Sequence, residues 1–298
     1  MFEDFRSAFH RPNNAHVQLI IINVAIYLGL VVIYLFSAIP GTEAIFEFIY
    51  KQFTLPAAFQ EFLTRPWTLI TYMFAHSMWD IFHILFNMLV LYWFGRLFVE
   101  YLGSDKLIAL YLLGGITGGI SFLIIYNLNL QLFGNAGMVG ASGAIYAIVV
   151  GTAVLLPNYT FYLLFFGPVR IKYIALFYVI LSLLYVRQGV NLGGNIAHLG
   201  GALIGAIYIK QLQAGVNWGS WITSTIDWFK DLFRPKPKVK VSYRGEQSRP
   251  KRSSSSPKQS SPKTSQDEID AILDKISDGG YESLTKEEKE KLFNASKK

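Results

Sequence analysis

The chain has 298 residues, of which 52% are hydrophobic and only 16% charged, against about 25% charged in soluble domains. Its apolar residues gather in runs that approach the roughly 20 residues needed to cross a ~30 Å hydrocarbon core, which excludes a soluble globular fold. With no cysteine there is neither a disulfide scaffold nor a thiol nucleophile, and the net charge of +7 comes without a nucleic-acid-binding motif, so nucleic acid is not an expected partner.

Residues 1–16 read as a polar, basic lead-in containing Arg6 and Arg11. The first span is expected at 17–38, stopping before the turn dipeptide Pro40-Gly41. It is long and lacks a small-residue cleavage site, so it reads as a retained helix and not as a removed signal peptide. Between 43 and 66, apolar and polar residues alternate without reaching spanning length, a pattern that suits helices lying in the membrane interface. Second and third spans are expected at 78–98 and 106–126. The segment 127–138 is uncharged and turn-rich, with two glycines, and reads as a cap. A fourth span starts abruptly at Gly140-Ala141-Ser142-Gly143 and ends before Pro157. The fifth is expected at 169–186 and the sixth at 196–211. The fold class is therefore all-α, a polytopic bundle of six transmembrane helices over 17–213.

Beyond the bundle, 214–234 is an amphipathic juxtamembrane segment with Trp221, Ile222, Ile226 and Trp228, suited to the inner membrane surface. Residues 235–266 are basic and rich in serine and proline, the composition of a disordered linker. Residues 267–298 regain helical periodicity, with Ile269, Ile272, Leu273 and Ile276 on one face, and Thr285 followed by Glu288 as a helix start. About 30 residues cannot build an independent core of any strength, so this piece reads as a docking element for a cytoplasmic partner.

Lysine and arginine set the orientation. With the N-terminus inside, Arg6, Arg11, Arg96, Lys106, Arg170, Lys172, Lys210 and the basic tail all face the cytoplasm. Lys51, Arg65 and Arg187 remain outside. The asymmetry favours both termini inside and an even number of crossings.

Ionisable residues within spans are costly and raise a functional question. His83 and Asn87 are four apart and share a helix face, and His198 opens the sixth span. Ser142 stands at a helix start, where free backbone N–H groups and the positive dipole end stabilise developing negative charge. Gly143, Ala147 and Gly151 recur every four residues in the fourth span, as Ala197, Gly201 and Gly205 do in the sixth. Small residues at this spacing bring helix backbones together in lipid. Both spans start on the outer side, so Ser142 and His198 lie toward the same face as a nucleophile and its base. Packing alone would explain the small residues equally well. No His-Glu-x-x-His motif exists, neither Asp80 nor any other third ligand is well placed to join His76 and His83, and no span contains an interior aspartate. No metal and no cofactor are expected.

These residues carry a resemblance. The chain resembles the rhomboid family of intramembrane serine proteases over about residues 15–213. The matching pieces are Pro66-Trp67-Thr68 through His76, His83-Ile84-Leu85-Phe86-Asn87, Gly140-Ala141-Ser142-Gly143-Ala144-Ile145-Tyr146 and Ala197-His198-Leu199-Gly200-Gly201. The resemblance implies Ser142 as nucleophile and His198 as base. It implies an oxyanion hole lined by His83, Asn87 and the Ser142 amide, and Tyr146 stacked on the imidazole. It gives His76 no catalytic role. Where the family often has Trp-Arg, this chain has Trp67-Thr68, with Arg65 two residues before Trp67. The tail resembles an element found after some bacterial rhomboid domains; with the lysine and arginine asymmetry, the expected location is a bacterial inner membrane with both termini cytoplasmic. Partners would be the lipid bilayer and transmembrane protein substrates, cleaved near the outer face. The alternative is a rhomboid-like pseudoprotease that binds membrane helices without cutting them; transport of a neutral solute is a third reading.

Overall fold

The computed structural model describes residues 13–128, 137–163, 166–233 and 263–295. Contacts divide the chain into two units, Met1–Lys236 and Pro237–Lys298. Residues 1–12 of the lead-in expected at 1–16 and 235–262 of the linker expected at 235–266 lie outside the described residues.

In the first unit, α1 (Ala15–Phe36) is followed by short helices α2 (Glu43–Lys51), α3 (Phe59–Thr64) and α4 (Thr68–Thr71), then a 3-10 turn at Tyr72–Phe74. Next come α5 (Ile81–Leu102), α6 (Ser104–Leu128), α7 (Ser142–Leu155), β1 (Thr160–Leu163), β2 (Gly167–Arg170), α8 (Ile171–Gln188), α9 (Leu192–Gln213) and α10 (Ser220–Phe233). Among the described residues, α1, α5, α6, α8 and α9 are the five helices long and apolar enough to cross a membrane. The remaining expected span, α7, has 14 residues and so covers about 21 Å, short of a full hydrocarbon core. Burial in protein replaces the missing length. Residues 143–149 are all buried, with α5, α6, α8 and α9 packed around them. A helix starting beneath the membrane surface is tolerated when protein or a water-filled recess surrounds its end.

The expected span limits sit within three residues of these helices except at two ends: α5 runs to Leu102 and not to 98, and α9 starts at Leu192 and not at 196. Gly193-Gly194 falls before the span expected at 196–211. In the structure Asn191 takes a left-handed conformation (φ 40°), and Asn195 Nδ2 donates to the carbonyls of Val190 and Asn191 at 2.9 and 3.0 Å, tying down the extra turn. His198 consequently lies in the second turn of α9 and does not open it. The β1–β2 ribbon was not expected either. It pairs antiparallel from Thr160 opposite Arg170 to Leu163 opposite Gly167, and Phe161 packs on Phe94 of α5 with ring centres 5.1 Å apart.

The short helices anchor the loop that leads into the site. Arg65 donates to the Lys51 carbonyl at 2.6 Å and pairs with Glu61. Thr68 is buried and donates to the Arg65 carbonyl at 2.6 Å. Tyr72 donates to the Gly115 carbonyl at 2.6 Å, and Tyr111 of α6 to the Met73 carbonyl at 2.7 Å. Side chain to carbonyl bonds, most of them reaching across elements, thus hold the loop that contains Trp67-Thr68. α8 is the least enclosed of the long helices. It buries only Ile171, Ala175 and Ser182, and Leu176, Phe177, Ile180, Leu183 and Leu184 are exposed, an apolar face suited to lipid.

In the second unit, α11 (Lys263–Gly279) and α12 (Lys286–Ala295) flank a 3-10 turn at Tyr281–Ser283. Thr285 N–H donates to Glu288 Oε2 at 2.8 Å, and Glu288 N–H to Thr285 Oγ1 at 3.3 Å. This reciprocal pair is a capping box. Lys275 Nζ adds an ion pair to Glu288 at 3.0 Å. Ile272 and Leu284 are buried, whereas Leu273, expected on the same face as Ile272, is exposed.

Candidate active site

The site is assembled around the start of α7. Met138 and Leu55 exchange backbone hydrogen bonds of 2.9 and 2.8 Å, and Gly140 N–H donates to the Tyr72 carbonyl at 3.0 Å. Gly140 has φ 136°, a conformation that side chains rarely adopt. A Cβ there would also stand 3.0 Å from His83 Nε2 and 3.6 Å from Ser142 Oγ. Glycine therefore keeps open the gap between Ser142 and His83. Of the cap expected at 127–138, residues 129–136 lie outside the described residues.

Ser142 is the first residue of α7, and its Oγ lies 2.7 Å from His198 Nε2 of α9. The separation reflects direct backbone contact between the two helices. A Cβ on Gly201 would overlap the Gly143 carbonyl oxygen, and one on Gly205 would overlap the Ala147 carbonyl oxygen. A Cβ on Gly151 would stand 3.3 Å from the Gly205 carbonyl oxygen. All five expected small packing residues, Gly143, Ala147, Gly151, Gly201 and Gly205, thus meet in one interface. Sequence reading missed a third helix in this seam. A Cβ on Gly114 of α6 would overlap Ala147, and one on Gly118 would lie 2.8 Å from the Ala197 carbonyl oxygen. The repeat Gly114-Gly115 and Gly118-Gly119 has the same four-residue spacing and was the available signal.

Tyr146, one turn after Ser142, stacks on the His198 ring with centroids 4.2 Å apart and planes 10° apart. On the other side of the ring, Nδ1 lies 3.3 Å from Ser182 Oγ. Ser182 is 1% exposed and donates to Tyr146 Oη at 3.0 Å; Tyr146 Oη donates to the Tyr178 carbonyl at 3.4 Å. Sequence reading did not single out Ser182. Its signal was a lone hydroxyl in the apolar run Ile180-Leu181-Ser182-Leu183-Leu184.

His83 and Asn87 come from the first two turns of α5, which Asp80 caps by accepting from Phe82 N–H at 3.0 Å. Asn87 Nδ2 donates to the His83 carbonyl at 2.7 Å, fixing the amide on the His83 face. His83, Asn87, Ser142, Tyr146 and His198 share a cleft of about 990 Å³, with Asp80 at its lining. His76 is fully buried, its ring edge-on to His83 at 5.2 Å. Burial, and then the neighbouring His83, hold the His76 imidazole well below its ordinary range, at about 3. It is therefore neutral at physiological pH. A serine hydroxyl within hydrogen-bond reach of an imidazole, as Ser142 is of His198, can be activated as a nucleophile, and donors at a helix start suit a nascent oxyanion.

A rhomboid domain model matches residues 63–213, just over half of the 298 residues. A model of a family of unknown function, DUF6576, matches residues 260–298. RHOMBOID-like protein 12, mitochondrial, of Arabidopsis thaliana is 36% identical over 163 residues, covering 51% of this chain and 48% of that protein. The chain thus spans about half the length of that curated relative. The rhomboid match takes in the anchoring loop, α5 through α9 and every residue of the cleft named above. With five apolar helices of spanning length and a buried sixth at their centre, the chain is a multi-pass helical membrane protein and belongs to the rhomboid family.

Proposed function

We propose that the chain is an intramembrane serine endopeptidase that cuts transmembrane proteins near the outer face of the membrane. The observation that carries this reading is the 2.7 Å contact between Ser142 Oγ and His198 Nε2, inside a cleft large enough to hold water and an extended peptide segment. His198 Nε2 takes the proton as Ser142 Oγ attacks the scissile carbonyl. The resulting oxyanion is held by the Ser142 N–H and by the side chains of His83 and Asn87. As the intermediate collapses, His198 returns the proton to the departing amine, and water from the cleft then hydrolyses the acyl-enzyme. Tyr146 keeps the imidazole in plane throughout.

Helical peptide carbonyls are already hydrogen-bonded, so a substrate helix must unwind locally before it can be attacked. Single-span proteins with helix-breaking or small residues near the outer interface are the proposed substrates. Residues 17–213 form the proteolytic membrane domain, 214–234 the surface helix, 235–266 a linker and 267–298 a docking element. The lysine and arginine asymmetry supports both termini in the cytoplasm, and the resemblance of the tail to an element after some bacterial rhomboid domains supports a bacterial inner membrane.

A fluorophosphonate probe tests this reading without knowledge of the natural substrate. Native protein in membranes labels at Ser142, mapped by peptide mass spectrometry, and Ser142→Ala does not. A pseudoprotease that only binds helices gives no label on the native chain, and that result overturns the assignment.

A further inference from the structure

An imidazole serves as a base through Nε2 only if its one hydrogen sits on Nδ1. In water the two neutral tautomers interconvert freely, so a site that depends on one of them needs a device to choose it. The hydrogen-bond chain behind His198 has a single direction. It ends on the Tyr178 backbone carbonyl, which can only accept. Tyr146 Oη–H therefore donates to that carbonyl at 3.4 Å, leaving its oxygen to accept from Ser182 Oγ–H at 3.0 Å. Ser182 Oγ, its own hydrogen committed, offers only lone pairs to the ring nitrogen 3.3 Å away. The sole tautomer that satisfies the chain has its hydrogen on Nδ1, with Nε2 bare and facing Ser142.

Ser182 also differs from Ser121 and Thr152, two other aliphatic hydroxyls within the long helices. Ser121 and Thr152 donate to carbonyls one turn back in their own helices, the usual local solution in a helix. Ser182 donates across the helix packing to Tyr146 instead. A buried hydroxyl in a mainly apolar helix is costly unless it is satisfied, and both of its partners belong to the site.

We propose that Ser182 is a positioning residue for His198, selecting the Nδ1–H tautomer and accepting from Nδ1 as the ring becomes imidazolium. The proposal rests on Ser142 and His198 acting as nucleophile and base. Its physical content is that a helix outside the Ser142–His198 seam sets the state of the base. Ser182 and Tyr178 both belong to α8, the least enclosed long helix. Displacement of α8 therefore removes the acceptor behind the imidazole along with the carbonyl that orients the chain.

The test uses the full-length protein in detergent micelles, with 15N-labelled histidine. At neutral pH the native His198 ring shows the shift pattern of a protonated Nδ1 and a bare Nε2, assigned by its loss in His198→Ala. Ser182→Ala converts it to a mixture of tautomers. On a reporter helix, Ser182→Ala lowers kcat roughly tenfold to hundredfold, a part of the ~10²–10⁴-fold that general-base catalysis supplies, while KM stays within about twofold. Ser182→Thr, which keeps the hydroxyl, recovers most of both signals. A native spectrum dominated by hydrogen on Nε2, or a Ser182→Ala spectrum identical to the native one, overturns the proposal. So does an equal loss of kcat and of thermal stability in the alanine and threonine variants, which marks Ser182 as packing alone. If the native protein cuts nothing and takes no probe, the protease reading fails by itself, and the ring-nitrogen spectrum still decides whether Ser182 sets the tautomer.

Discussion

His198→Ala is expected to lower kcat on a helical reporter by at least ~10³-fold with little change in KM. Ser142 is a poor nucleophile until its proton has somewhere to go, and the acceptor in reach is His198 Nε2 at 2.7 Å. The backbone donors at the start of α7 survive the substitution, so a small residual rate over the uncatalysed reaction remains. Because the two side chains act as one unit, the double variant with Ser142→Ala is expected to be no worse than either single one. Steady-state cleavage of a reporter by purified protein measures all three. Multiplicative losses, or a histidine variant within tenfold of native, would show that His198 is not the base.

Gly201→Ala is expected to damage both the fold and the site. The new methyl would overlap the Gly143 carbonyl oxygen, and backbone cannot step aside as the end of a flexible side chain can. α9 must then move away from α7. Overpacking of this kind costs about 1–3 kcal/mol, and a displacement near 1 Å at a catalytic group can cost on the order of 10²-fold in rate. Gly201 lies three residues after His198 and faces the residue next to Ser142, so the displacement falls where the 2.7 Å contact is made. Thermal unfolding in detergent, read beside reporter cleavage, should show both losses. Gly29→Ala is the control, because a Cβ on Gly29 meets nothing within 4 Å. Similar behaviour of the two variants would refute the close-contact account.

Hydropathy made the long helices legible, since α1, α5, α6, α8 and α9 each carry enough apolar residues to span on their own. The meeting of α7 with α9 was legible too, because small residues every four positions leave a flat face that only another backbone fills. What escaped depends on neighbours and not on composition. The shortness of α7 is tolerated only because other helices enclose it, and nothing in Ser142–Leu155 itself declares that. The early start of α9 depends on Asn195 reaching two carbonyls, which draws the glycine pair before the expected span into a helical turn. Ser182 is one serine among several in apolar helices, and only the fold turns it toward an imidazole. His83 and Asn87 could be paired by their spacing, but their place beside Ser142 rests on the loop that Gly140, Leu55 and Tyr72 hold in position.

Purified native protein and its Ser142→Ala variant, each reconstituted in liposomes with a single-span reporter, give the most direct measurement. Mass spectrometry of the products should find one reporter peptide bond, inside or at the edge of the hydrophobic segment, cut by the native protein and intact with the variant. Equal cleavage by both proteins would contradict the account, because the bond would then be broken without the Ser142 hydroxyl.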